Sequence, residues 1–181
     1  MIAEAPLEQT ASGLEPAAGG WFAVNVRDTA WETHQTFGSS CVFESERAPF
    51  AELGINLNVL RPGQPLCLYH RENAQEDFLI LAGECLLIVE GEERSLGVWD
   101  FVHCPPETEH VFIGTGEAPC VVLATGARRQ PERLLYPVTE AARRHGAAAA
   151  TETASAEEAY APYRGQKQPV RPDGWDRLPW A

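Results

Sequence analysis

An antiparallel all-β sandwich or barrel is expected from this chain, on three observations. Between Leu53 and Ala124, short runs rich in Val, Ile, Leu, Phe and Cys recur at near-regular spacing. The breaks between them are turn-like, Glu90-Gly91 and Thr115-Gly116-Glu117 being the clearest. No amphipathic run of helical length interrupts that stretch, which disfavours a doubly wound α/β fold.

In chain order, residues 1–20 are rich in Ala, Glu, Gly and Pro and read as a flexible arm. Trp21 to Val26 reads as a strand and Ser40 to Glu44 as another, with a loop between them holding Trp31 and His34. Leu53 to Leu60 alternates, placing Leu53, Ile55, Leu57 and Val59 on one face and Gly54, Asn56, Asn58 and Leu60 on the other. After the Arg61-Pro62-Gly63-Gln64-Pro65 turn, strands are expected over 66–72, 77–81, 85–89, 93–96, 100–104, 110–113 and 119–125. Past Arg128 the character changes. Thr139 to His145 carries helix formers with Gly146 placed as a stop, and Ser155-Ala156-Glu157-Glu158 has capping-box spacing. Trp175, Leu178 and Trp180 are too apolar for a free tail, so they are expected to dock on the β domain or on a partner subunit. The division is therefore 1–20 arm, 21–127 β domain and 128–181 helical and extended segment.

Composition narrows the function classes. A net charge of -12 argues against nucleic acid and anionic membranes as partners. No apolar run reaches the length of a membrane span, and Met1 to Gly20 lacks the pattern of a signal peptide. Five cysteines without a C-x-x-C pair, four of them in apolar runs, read as buried free thiols and suit a reducing cytoplasm. The single lysine, Lys167, lies in a polar tail, which sets aside Schiff-base chemistry. No phosphate-binding glycine loop is present.

The chemistry gathers in Tyr69 to Glu84 and in Pro105 to His110. On a strand His70 and Glu72 share a face, and Asn73-Ala74-Gln75 reads as a hairpin connection carrying Glu76 onto the neighbouring strand beside them. With His110 they make two imidazoles and two carboxylates, a donor set for a divalent metal. Two carboxylates together in a partly dry site repel unless a cation neutralises them. The plainer alternative has both histidines hydrogen-bonded in the interior and the glutamates solvated. Nearby, Cys67 is expected to turn away from His70 into the core. Tyr69 and Arg71 also face away. Cys104 is expected to pack inward and His103 to lie on the surface. Arg61 and the Glu90, Glu92 and Glu93 tip read as solvated.

These two stretches resemble the paired motifs of the cupin superfamily. Gly63, His70, Glu72, Glu76 and Gly83 follow the order of the first motif, with one extra residue after Gly63 and Glu72 where a second histidine normally stands. Trp99 to His110 follows the second motif, with Trp99 and Glu107 in place of its glycines. The resemblance covers roughly Leu53 to Thr125. It implies a small cupin-type β-barrel of the jelly-roll kind, with a metal in its mouth and often a homodimer through sheet edges. The ligands would be His70, Glu72, Glu76 and His110, with Glu72 and Glu76 as catalytic proton acceptors, and Glu72 either a ligand or a base beside the metal. The ion would be manganese, iron, zinc or nickel. Trp99 must then pack on the C-terminal segment or narrow an approach. The function expected is a small-molecule enzyme of isomerase, lyase or oxygenase type. A ligand-binding sensor without catalysis is the alternative, and a storage barrel the third reading.

Overall fold

Turn residues cut the chain into strands before any packing is considered. The computed structural model describes residues 1–180. Its strands are β1 Leu7–Gln9, β2 Leu14–Pro16, β3 Trp31–His34, β4 Gly38–Val42, β5 Leu53–Leu60, β6 Arg71–Glu72 and β7 Glu76–Ala82. They continue as β8 Glu84–Val89, β9 Glu92–Leu96, β10 Phe101–Cys104, β11 His110–Thr115, β12 Cys120–Ala127, β13 Leu134–Leu135 and β14 Lys167–Gln168. Two short helices follow β13: α1 Glu140–Arg144, capped by Thr139, and α2 Ala156–Ala159, capped by Ser155.

A seven-stranded antiparallel sheet runs β10-β7-β12-β5-β4-β3-β14, and a second sheet runs β11-β8-β9. Residues 63–70 extend the second sheet irregularly along β11, through bridges at Pro65–Ile113 and His70–His110. The two sheets face each other across Leu60, Phe78, Ile80, Leu87, Phe112 and Val122. This is a jelly-roll sandwich, as expected. Alternation along β7 turns Glu76, Phe78 and Ile80 inward together, and along β11 it does the same for His110 and Phe112. Each sheet is also covered on its outer face. Ile88, Val111 and Ile113 pack under α1, and Leu57, Val59 and Val121 pack under Trp31 and Leu178. Double coverage explains why β11 is buried along almost its whole length.

Several sequence expectations change. Residues 22–25 form no strand, whereas the expected loop around Trp31 and His34 is β3. Trp31 is fully buried against Trp175 and Trp180, so a distant segment fixes that strand rather than its own weak alternation. Within residues 1–20, expected to be loose, β1 and β2 pair and Ala5 is buried. β6 and β7 do not form a hairpin. β6 pairs β13, while β7 pairs β10 and β12, so Asn73 to Gln75 carries the chain from one sheet to the other.

The turns show where glycine is needed. Glu90 and Gly91 both take positive φ, 50° and 79°, as a two-residue hairpin turn requires. At Gly83 a Cβ would lie 2.4 Å from the Pro119 carbonyl oxygen, so β7 and β8 can turn there only on glycine.

Candidate metal centre

Three side chains from two sheets converge at one end of the sandwich. The two histidines are backbone partners: His70 N donates to His110 O at 3.2 Å and His110 N to His70 O at 2.9 Å. Direct opposition puts both imidazoles on the same face, with ring centroids 5.0 Å apart. Glu76 reaches them from β7 of the facing sheet. Its Oε2 lies 3.3 Å from His110 Nε2 and 3.9 Å from His70 Nε2. One ligand atom from each of His70, Glu76 and His110 falls within 4.8 Å of the others. Phe78, 5.2 Å from the His110 ring, and Phe112 behind it form an apolar floor.

The tautomers follow from the backbone. His70 Nδ1 sits 2.9 Å from the Leu68 carbonyl and His110 Nδ1 sits 3.0 Å from that of Thr108. A carbonyl only accepts, so each Nδ1 carries the proton and each Nε2 presents its lone pair to the centre. That is how histidine ligands are held by outer hydrogen bonds. Burial, then the neighbouring His110, pushes His70 down to about 4, and burial also lowers His110. Both imidazoles are thus neutral. Burial first, and then the charge of Glu72, raises Glu76 to about 8. Two neutral imidazoles and a carboxylate held above its ordinary range fit a divalent cation, which would restore the ionised form.

Glu72 stands apart from the converging three. Its carboxyl is raised by burial and then by Glu132. It lines a cavity of about 380 Å³ together with Glu76, Gly54, Asn56, Gly126 and Arg129. A larger groove of about 640 Å³, lined by Ser12, Glu15, Glu32, Ser40, Glu44 and Arg47, lies away from the histidines.

His103 is exposed and hydrogen-bonded to Asp77 at 2.6 Å, while Cys104 is buried in the core, as expected. Tyr69 turns outward to Glu109, and Arg71 lies near Glu107 and Glu109. Arg61 pairs with Asp173 at 3.1 Å, and Glu93 with Arg144 and His145. Cys67 does not turn away from His70: its Sγ lies 3.6 Å from Nδ1, because residues 66–70 are not a regular strand and period-2 reasoning fails there. Trp99 neither packs on the C-terminal segment nor narrows the cavity, being 72% exposed. One neighbour went unread in the sequence. The buried Tyr136 stacks on His70, 5.9 Å between centroids at 29°. It follows β13, and nothing in its local pattern brings it to the histidine.

Comparison with known proteins gives the same frame. Residues 56–126 match the family model described as the cupin domain. No match was found among curated proteins. Among solved structures, the chain is similar to a sugar phosphate isomerase from a cupin superfamily of Silicibacter pomeroyi, at 25% identity and a TM-score of 0.50. That match covers 56% of this chain and 66% of that one, so the chain spans less than two thirds of the isomerase's length. It is also similar to the polyketide cyclase RemF from Streptomyces resistomycificus, at 16% identity, a TM-score of 0.54 and coverage of 67% and 89%. A third is the DMSP lyase DddQ from Ruegeria pomeroyi, at 23% identity, a TM-score of 0.46 and coverage of 75% and 64%.

Proposed function

Given that the chain carries a small domain of the cupin superfamily, we propose that it is a metal-dependent enzyme acting on a small molecule, of isomerase, lyase or oxygenase type. His70, Glu76 and His110 are the protein ligands of a divalent ion, whether manganese, iron, zinc or nickel. Glu72 is the proton acceptor beside it, with Glu76 acting both as ligand and as the nearer carboxylate. The observation that carries this reading is the pair of Nε2 lone pairs aimed at one carboxylate oxygen, with both Nδ1 protons committed to backbone carbonyls. Such an ion supplies Lewis-acid polarisation of a bound oxygen, or oxygen chemistry if it is iron.

The chain's own residues do the rest. Phe78 and Phe112 keep water from beneath the centre. Glu72, raised by burial and lining the cavity, takes a proton from a molecule held there. The sugar phosphate isomerase likeness supports small-molecule turnover over a storage role.

The same reading takes residues 21–127 as the catalytic domain and 128–181 as a segment packed on it. It also places the protein in the cytoplasm, where its five free thiols stay reduced. No helix among the described residues is long and apolar enough to cross a membrane. Elemental analysis tests the core of the proposal. Wild-type protein loaded with manganese, iron, nickel or zinc is expected to hold about one ion per chain, lost in His70→Ala and His110→Ala. A protein that stays empty with all four metals overturns it.

A further inference from the structure

Two glycines face each other on neighbouring strands beside the metal ligands. Gly54 of β5 pairs with Gly126 of β12, and Gly126 in turn lies opposite Glu76 of β7. Neither glycine has a positive φ, so the backbone does not require one at either position. Nor does close packing, in contrast to Gly114, where a Cβ would lie 2.4 Å from the Arg61 carbonyl oxygen. A Cβ on Gly126 would make ordinary contacts, 3.6 Å from Glu76 Cγ and 4.0 Å from Glu72 Oε1. One on Gly54 would lie 3.7 Å from the Arg128 guanidinium. What the two missing side chains leave is room: a smooth floor to the cavity of about 380 Å³ that ends at Glu76. At about 30 Å³ per water, that volume accommodates a molecule of roughly a dozen non-hydrogen atoms.

Charge says what kind of molecule. In a chain with 26 acidic and 14 basic residues, most arginines are already paired. At the cavity, Arg128 is held by Glu44, and just beyond it Arg133 lies near Glu107. Arg129 lines the same cavity and makes no ion pair among the described residues. Glu76 belongs to the metal set, and Glu72 and Glu132 are the other carboxylates of the lining. Arg129 is thus the unpaired cation of the cavity wall among the described residues, the one group there free to meet an anion.

We propose that the Gly54–Gly126 trough seats a small oxygen-rich anion, a hydroxy acid or a sugar phosphate. Arg129 meets its carboxylate or phosphate, its hydroxyl end faces Glu76, and Gly126 sets the size limit. The proposal rests on the metal-centre reading above and deepens it. Arg129 and Gly126 are specificity-determining residues, since neither touches the metal set in a way that would hold the ion.

Calorimetric titration of manganese-loaded protein with malate, ribose 5-phosphate, ribose and inorganic phosphate tests it. Malate or ribose 5-phosphate is expected to bind wild type, a malate response assigning a carboxylate and a ribose 5-phosphate response a phosphate. Arg129→Gln is expected to weaken that binding about tenfold while leaving ribose unaffected, as for loss of a charged hydrogen bond. Gly126→Val is expected to abolish it and Gly126→Ala to keep it, with Arg129→Gln and Gly126→Ala holding as much manganese as wild type. If Gly126→Val fails to fold, Arg129→Gln decides. Metal-loaded wild type that binds neither anion, or variants that bind like wild type, overturns the trough alone. Wild type that takes up no manganese, iron, nickel or zinc overturns the trough and the metal centre together.

Discussion

Glu76 is the residue on which the electrostatics turn. Its carboxyl, raised to about 8, is protonated at neutral pH in the metal-free protein, and an incoming cation must displace that proton. Between its ordinary value near 4.5 and about 8, the unfolded chain ionises Glu76 while the folded chain keeps the proton. Stability from this group is therefore fully present at low pH and lost as pH rises through that window. His70 acts the other way: lowered to about 4, it costs stability only as pH falls below its ordinary 6.5. From pH 6.5 to 8 the slope from Glu76 stands alone of the two, at up to about 1.4 kcal/mol per pH unit. Metal-free wild type is expected to lose stability over that range relative to Glu76→Gln, read from denaturant titrations at several pH values. Parallel curves for the two proteins would contradict the assignment.

Among the elements, the turns that lead into and out of β10 are the informative ones. Trp99 and Glu107 stand where the cupin pattern has glycine, and both keep the left-handed backbone, with φ of 73° and 71°. The conformation is thus retained after the residue that adopts it freely has gone, at roughly 1–2 kcal/mol for each L-residue. Glu107 has compensation in Arg71 and Arg133 nearby. The exposed Trp99 ring has no such partner among the described residues. In the dissociated single chain Trp99→Gly is therefore expected to raise stability by about 1 kcal/mol, and Gly83→Ala to lower it by more than that, since a Cβ there meets backbone. Thermal melts of the two variants check both signs.

For the molecule as a whole, the exposed edge of the large sheet stands out. β10 ends that sheet, and Val98, Trp99 and Phe101 lie exposed beside it, at 46%, 72% and 65%. We propose that a second copy of the chain covers this edge, which accounts for a bulky ring held in a strained turn. Sedimentation is expected to give a dimer that Phe101→Glu dissociates; a wild-type monomer would refute it. The opposite edge is already closed. β14 pairs β3, and Trp175, Leu178 and Trp180 pack around Trp31, so the C-terminal segment completes the outer face of the sheet.

The jelly roll was legible because its signals are local. Alternation over Leu53–Leu60 and Glu76–Ala82, the Glu90-Gly91 turn and the Ser155 cap each act within a few residues. His70, Glu76 and His110 were legible because their motif spacing encodes which strand ends meet. Nothing local marks Trp31 as a strand residue, brings Cys67 and Tyr136 against His70, or makes Gly126 a floor rather than a turn. Those contacts join segments far apart in the chain, and burial against a distant partner outweighs local preference wherever that preference is weak.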